Sequence, residues 1–138
     1  MIAVDSNIWI YYLDPTLPEH EKVKPILEKV ISSEEILTST IIWMEVANYL
    51  FKVSSMPRSE LAQKIKKLLR LSTMKIADFD IDTLNSGIDI LEEKYRHRIG
   101  GRDAAILATM KKHGVSKLMT HDKGFVGVGV EVIDPVEL

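Results

Sequence analysis

Four acidic residues, far apart in the chain, stand where parallel-sheet proteins place functional side chains. Asp5 ends the apolar run that opens the sequence, and Asp122 directly follows the strand-like run Lys117–Thr120. Glu45 and Asp103 lie in the early turns of predicted helices that follow a strand or a loop. Parallel strands bring their carboxyl ends to one edge of a sheet, where ligands bind. The pattern therefore predicts that the four carboxylates converge at one edge.

Each of these acids also has an ordinary structural interpretation. Asp5 could cap the N-terminus of a helix, and Asp103 could offset a helix dipole from the first turn. Asp122 could form a turn before the glycine two residues later. Glu45 is harder to explain in this way, because it is the only charged residue in the apolar stretch Ile36–Phe51. Carboxylates are rarely buried without a partner, so Glu45 indicates a cation, a metal or a hydrogen-bond network.

The chemistry of such a cluster follows from its charge and its donor atoms. Four carboxylates in a cleft of low dielectric repel one another, unless cations bind or their pKa values rise. Ligands that offer only oxygen favour hard ions, so the set predicts Mg²⁺ or Mn²⁺. The histidines show no paired spacing of the kind that binds zinc.

Alternating strands and helices must position these acids. Short apolar runs predict strands, and apolar stripes with helical spacing predict helices between them. The combination is typical of an α/β domain with a mainly parallel sheet. The predicted strands are Met1–Val4, Glu35–Thr38, Lys75–Phe79, Lys117–Thr120 and Val130–Ile133. The helical stripes are Val23, Leu27, Val30 and Ile31, then Leu61, Ile65, Leu68 and Leu69, then Leu84, Ile88, Leu91 and Tyr95.

Length and composition limit the number of domains and exclude several kinds of site. A chain of 138 residues predicts a single domain over 1–138. The absence of cysteine excludes disulfides, thiolate zinc sites, iron–sulfur clusters and cysteine nucleophiles, and it is consistent with a reducing, cytoplasmic location. The longest apolar stretch is interrupted by Glu45 and Asn48, so we expect no membrane span.

Other enzyme classes with acids at a sheet edge fit less well. A phosphoacceptor receiver domain would need an adjacent acidic pair after the first strand, where this chain has Ser6 and Asn7. A phosphatase of the haloacid-dehalogenase type would need a second aspartate at the position of Asn7. The sequence also has no glycine–lysine motif of a P-loop nucleotidase.

Positive charge is uneven, although the formal net charge is −2. The run Lys94–Arg102 leads directly into Asp103, so Arg98 and Arg102 could pair with substrate phosphates. The alternative is a solvated helix end, where basic residues are favoured. The run Arg58–Arg70 is interpreted as the polar face of an amphipathic helix.

Four segments carry a resemblance to a known family. The sequence resembles a PIN domain, most closely the small VapC-like toxins of prokaryotic toxin–antitoxin pairs, over nearly the whole chain. The order and spacing of the segments match the family better than any single motif does. The segments are VDSNIWI, IIWMEVANYL, GRDAAILATMKKHG and LMTHDKGF.

The resemblance implies a fold and a set of site residues. The fold is a three-layer α/β/α sandwich with a central, mainly parallel sheet. The implied metal-binding and catalytic acids are Asp5, Glu45, Asp103 and Asp122. The implied supporting polar residues are Thr120, Ser6 and Asn7. His121 lies between two of these residues and could touch substrate, or it could be an exposed loop histidine.

The resemblance also implies an activity and partners. It predicts a Mg²⁺- or Mn²⁺-dependent endoribonuclease in which metal-activated water attacks a phosphodiester and leaves a 5′-phosphate and a 3′-hydroxyl. It predicts an RNA substrate, a cognate antitoxin and a homodimer. The alternative is a degenerate PIN domain that binds RNA or protein without catalysis. Retention of four mutually repelling acids favours the enzyme.

Overall fold

The computed structural model describes residues 1–94 and 99–138 of the chain. Within them, strands and helices alternate as predicted, and each strand lies within two residues of its predicted bounds. The strands are β1 (Ile2–Val4), β2 (Ile36–Ser39), β3 (Met74–Ala77), β4 (Lys117–Met119) and β5 (Glu131–Ile133). The helices are α1 (Ser6–Leu13), α2 (His20–Ser33), α3 (Thr40–Val53), α4 (Arg58–Leu69), α5 (Ile81–Lys94) and α6 (Gly101–His113), with a short 3-10 helix at Lys123–Phe125.

The five strands form one parallel sheet in the order β3-β2-β1-β4-β5. The first strand therefore occupies the centre, where Ala3 pairs with Leu37 on one side and with Leu118 on the other. All three residues of β1 are at most 2% exposed. A strand buried on both faces has to be apolar throughout, which explains why the sequence opens on a continuous apolar run.

Helices cover both faces of the sheet. Helix α1 contacts α2 and α3, and α3 contacts α4, whereas α5 packs against α6. Right-handed crossovers in this strand order place α1–α4 on one face and α5 and α6 on the other. The fold is thus the three-layer α/β/α sandwich that the sequence predicts. No helix in the described part of the chain is long and apolar enough to span a bilayer.

Helix α5 departs from the expectation of an apolar core stripe. The helix itself is confirmed, but Leu84 and Ile88 are 42% and 51% exposed, and the buried positions are instead Thr83, Gly87 and Ile90. A Cβ atom at Gly87 would lie 3.7 Å from a backbone oxygen of α6. The small residue lets α5 and α6 approach closely. The face of α5 that packs on α6 is therefore the one that carries Gly87, and not the one that carries the largest apolar residues. Tyr95 of the same stripe lies outside the described residues.

Candidate active site

Asp5 is held at the junction of β1 and α1 by hydrogen bonds to both of its carboxylate oxygens. Oδ1 accepts from the backbone N–H of Ser6 at 2.7 Å, and Oδ2 accepts from the hydroxyl of Thr120 at 2.8 Å. Its own backbone N–H donates to the carbonyl oxygen of Met119 at the end of β4, at 3.0 Å. Asp5 therefore caps α1 and also points toward the end of the neighbouring strand, so the two interpretations of this residue are compatible.

Glu45 and Asp103 come from helices on opposite faces of the sheet. Helix α3 follows β2 without a loop, because Ser39 both ends the strand and caps the helix. Its hydroxyl oxygen accepts a hydrogen bond from the N–H of Ile42 at 3.4 Å. Glu45 lies in the second turn of α3. Asp103 is the third residue of α6, and its Oδ2 accepts from the N–H of Gly100 at 3.2 Å. Asp103 thus stabilises the start of its helix as an acidic first-turn residue would.

Asp122 and Thr120 follow β4. Oδ1 of Asp122 accepts from the N–H of Gly124 at 2.8 Å, which is the turn expected of an aspartate before glycine. Thr120 is fully buried, and its hydroxyl donates to Asp5 while accepting from the N–H of Asp122 at 3.0 Å and from Nδ2 of Asn7 at 3.4 Å. One buried hydroxyl therefore links two of the four acids, and all of its hydrogen-bonding capacity is used.

The structure brings the four predicted acids to one cavity. This cavity has a volume of about 230 Å³ and lies at the carboxyl edge of the sheet. Of the predicted supporting and substrate-binding residues, Ser6, Asn7 and Arg102 also line it, and Thr120 lies behind it. The acids that line it are Asp5, Glu45, Asp103 and Asp122.

Electrostatics in the cavity favour the uptake of positive charge. Burial raises the pKa of Asp5 above its ordinary value; its hydrogen bonds to Thr120 and Ser6 oppose the shift, and the charges of Asp103 and Asp122 add to it. Burial also raises the pKa of Asp103, with Asp122 and Glu45 adding to the effect. Each carboxylate thus raises the cost of ionising another, and a bound cation would remove that cost.

Arg102 supplies one positive charge at the mouth of the cavity. Its Nη1 lies 2.6 Å from Oε2 of Glu45, and the side chains are 81% and 25% exposed, respectively. The hydrogen bond to Glu45 and the negative charges of Asp103 and Asp5 raise the pKa of the Arg102 guanidinium. Arg98, the other predicted phosphate contact, lies outside the described residues, as does much of the basic run 94–102.

His121, which the sequence left open as a substrate contact or a loop histidine, contacts an acid and an aromatic ring in the structure. Its Nδ1 lies 2.9 Å from Oδ2 of Asp134, and its ring packs edge-on against Tyr11 with the centroids 6.1 Å apart. His121, Asp134 and Glu137 are also the one trio in residues 1–94 and 99–138 whose metal-ligating atoms all lie within 4.8 Å of one another. The side chain is thus engaged beside the acid-lined cavity and is not among the residues that line it.

Two lining residues were missed in the sequence analysis. Ile10 and Tyr49 form the apolar part of the cavity wall. Helical spacing would have identified them, because Ile10 is three residues after Asn7 and Tyr49 is four residues after Glu45. Asp134, the partner of His121, directly follows the last strand, so the rule that selected Asp5 and Asp122 would have identified it as well.

The donor set fits a hard divalent cation. Its four acidic side chains offer only oxygen atoms, which is the preference of Mg²⁺ and Mn²⁺. Burial raises the pKa values of Asp5 and Asp103, and the charges of the neighbouring acids add to both shifts. The trio of His121, Asp134 and Glu137 differs in its donor atoms, because it offers an imidazole nitrogen beside two carboxylates.

Comparison with known proteins agrees with this geometry. The family model of the PIN domain matches residues 2–131. The chain belongs to the PIN domain family. PIN-family nucleases generally use a divalent metal, in keeping with the acidic cavity of this PIN domain. Sequence comparison with curated proteins gave no significant match.

Solved structures with the same fold include VapC toxins. Mycobacterium tuberculosis VapC20, described as a toxin that cleaves the sarcin–ricin loop, superposes with a TM-score of 0.77 at 17% identity, over 94% of this chain and 96% of that chain. A toxin–antitoxin complex from Klebsiella pneumoniae gives 0.71 at 26% identity, over 98% of each chain. FitAcB from Neisseria gonorrhoeae gives 0.70 at 24% identity, over the full length of both chains.

Proposed function

We propose that this PIN domain is a divalent-metal-dependent endoribonuclease and the toxin of a toxin–antitoxin pair. The observation that carries the proposal is that four acids from four separate segments line one cavity at the carboxyl edge of the sheet. Membership of the PIN family and the similarity to VapC20, a toxin described as cleaving RNA, support the ribonuclease assignment.

The residues that would hold Mg²⁺ or Mn²⁺ are Asp5, Glu45, Asp103 and Asp122. When bound there, the cation would lower the pKa of a water molecule and offset negative charge on the scissile phosphate. The protein prepares this site from its own groups. Thr120 fixes the orientation of the Asp5 carboxylate, while Ser6 and Asn7 support the same edge of the cavity.

Substrate binding needs positive charge beside the acids. Arg102 lines the cavity and has a largely exposed guanidinium, so we assign it to a phosphate of the RNA. This contact requires the guanidinium to leave Glu45, whose carboxylate then becomes available to a metal. Arg98 is proposed for the same role on sequence grounds alone.

We propose two protein partners. The similar structures include toxin–antitoxin complexes, which supports a cognate antitoxin for this chain. A homodimer is supported by exposed apolar side chains on α3 and α5. These side chains are Ile41, Met44, Ile81, Leu84 and Ile88. Phe79, two residues before α5, donates its backbone N–H to the hydroxyl of Thr40 at the start of α3, at 3.2 Å. The proposed location is the cytoplasm.

The test is cleavage of a pool of structured RNA by the purified protein with Mg²⁺, with Mn²⁺ and with EDTA. Asp5→Asn removes one charge from the cavity, and Asp89→Asn makes the same change at an exposed position on α5. We expect metal-dependent cleavage by wild type and by Asp89→Asn, and none by Asp5→Asn. Calorimetric titration with Mn²⁺ should show the same ranking without relying on activity.

Cleavage that persists equally in Asp5→Asn would point to a contaminating nuclease and would contradict the assignment. A wild-type protein that neither cuts RNA nor binds Mn²⁺ would favour the non-catalytic binding module instead.

A further inference from the structure

The acid-lined cavity has an aromatic wall. Tyr49 lies on α3 one turn beyond Glu45, lines the same cavity as the four acids, and has 39% of its surface exposed. Ile10 extends this wall from α1. The cavity therefore combines four carboxylates with one apolar side. A site that only held a cation would need the carboxylates alone.

Tyr49 differs from the other tyrosines and tryptophans in the described chain. Trp9 and Trp43 contact each other with ring centroids 4.9 Å apart, and both are buried. Tyr12 packs against Trp9 and donates a hydrogen bond to Glu28 at 3.3 Å, and Tyr11 packs against His121. Among these residues in 1–94 and 99–138, Tyr49 alone has neither a ring contact nor a hydrogen bond. Its exposed part lines the cavity, and its hydroxyl group has an electrostatic interaction with that of Tyr11.

An RNA strand that approaches this cavity meets a field that repels it. Arg102 would attract an RNA phosphate that lies beside the four acids. In the free protein, Arg102 pairs with Glu45. Arg102 is the one basic residue in the cavity lining among the described residues, and Arg98 is proposed for the same role from the sequence. An uncharged contact would add attraction that the four acids do not oppose. Stacking of a base on an aromatic ring supplies such a contact without dependence on sequence.

We propose that Tyr49 stacks on an unpaired base next to the scissile phosphate and thereby restricts the enzyme to single-stranded nucleotides. This inference rests on the proposed ribonuclease function. A base within a helix has both faces covered by its neighbours, so it cannot stack on Tyr49 unless it leaves the duplex. Tyr49 is thus a specificity-determining residue, and the acids act on whichever phosphate the stacked base positions.

The test measures binding and base stacking separately. The probe is a short oligoribonucleotide that contains 2-aminopurine, offered either as a single strand or within a fully paired duplex, in EDTA so that no cleavage occurs. Tyr49→Ala removes the ring, and Tyr49→Phe keeps the ring without its hydroxyl. Val53→Ala is the matched control, because Val53 is one turn further along α3, is 51% exposed and does not line the cavity.

We expect wild type to bind the single strand and to quench its 2-aminopurine fluorescence. Tyr49→Ala should weaken this binding by about 5- to 150-fold, the range for loss of one base-stacking contact, and should abolish the quenching. Tyr49→Phe and Val53→Ala should behave as wild type. Affinity for the duplex should be the same in all four proteins.

Two results would overturn the stacking role of Tyr49 without contradicting the ribonuclease function. In the first, Tyr49→Ala binds and quenches the single strand like wild type, although wild type cuts RNA with Mn²⁺. In the second, Tyr49→Ala weakens single-strand and duplex binding equally, which would indicate a general structural effect. A wild-type protein that neither binds nor cuts RNA would refute the ribonuclease function and the stacking role together.

Discussion

Replacement of Thr120 by valine should damage the fold and the site together. The substitution keeps the shape of a fully buried side chain and removes only its hydroxyl. That hydroxyl donates to Oδ2 of Asp5 at 2.8 Å and accepts from the N–H of Asp122 at 3.0 Å. In Thr120→Val both partners lose a hydrogen bond inside the protein.

The expected magnitude follows from the kinds of bond lost. A hydrogen bond to a carboxylate contributes about 1.5–3 kcal/mol, and one between neutral groups contributes about 0.5–1.5 kcal/mol. The third contact, from Asn7 at 3.4 Å, is too long to add much. We therefore expect Thr120→Val to lower the free energy of unfolding by about 2–4 kcal/mol. Loss of the group that orients Asp5 should also weaken Mn²⁺ binding by about 10- to 100-fold.

The assay is urea unfolding at pH 7 in EDTA, followed by calorimetric titration of the folded protein with Mn²⁺. Thr109→Val is the matched control, because Thr109 is also a buried threonine and its hydroxyl donates to the carbonyl of Ala105 in its own helix, at 2.8 Å. That carbonyl keeps its helical partner, so the control should lose at most about 1 kcal/mol and no Mn²⁺ affinity. Equal losses of stability in both variants, with unchanged Mn²⁺ affinity in Thr120→Val, would refute the linking role of Thr120.

Three other predictions follow from the same geometry. The folded-state pKa values of Asp5 and Asp103 are raised above 3.8, so their contribution to stability is lost as pH rises through the raised values; in EDTA, Asp5→Asn should therefore gain stability relative to wild type as pH rises above 3.8 in urea unfolding. A constant difference as pH rises would contradict the shift at Asp5. Arg102→Gln removes the cation beside Glu45 and should tighten Mn²⁺ binding by at most about 5-fold in calorimetric titration, since exposed ion pairs contribute at most about 1 kcal/mol; weaker Mn²⁺ binding would show that Arg102 does not compete for Glu45. Gly87→Ala adds a methyl group at ordinary contact distance from α6 and should raise the free energy of unfolding by about 0.5–1 kcal/mol, seen as a higher urea midpoint with an unchanged slope; destabilisation would mean that the helices are already in closest contact.

The strands and the convergence of the acids could be predicted from the sequence because both depend on local patterns. A strand buried on both faces must be an uninterrupted apolar run, so β1 is visible without knowledge of its neighbours. Parallel pairing then places Asp5 and Asp122 at the same edge of the sheet, because the carboxyl ends of parallel strands share one edge. The order of the strands needed the structure, since nothing local in β1 indicates that it is central.

The remaining features depend on contacts between distant segments. The packed face of α5 could not be read from its apolar residues, because Gly87 permits a close approach that large side chains would prevent. The contact of His121 with Asp134 depends on β4 and β5 being neighbours in the sheet, an order that the sequence does not give. Tyr49 was recognisable only as a neighbour of Glu45 on a helix, and its place in the cavity wall required the position of α1.

The central position of β1 has a consequence for biosynthesis. The hydroxyl that orients Asp5 belongs to a residue 115 positions later in the chain. The strand that brings this hydroxyl, β4, also precedes the last of the four acids. A nascent chain thus has no assembled cavity until translation has passed β4 and Asp122, and a chain that terminates earlier lacks both the hydroxyl that orients Asp5 and the last of the four acids.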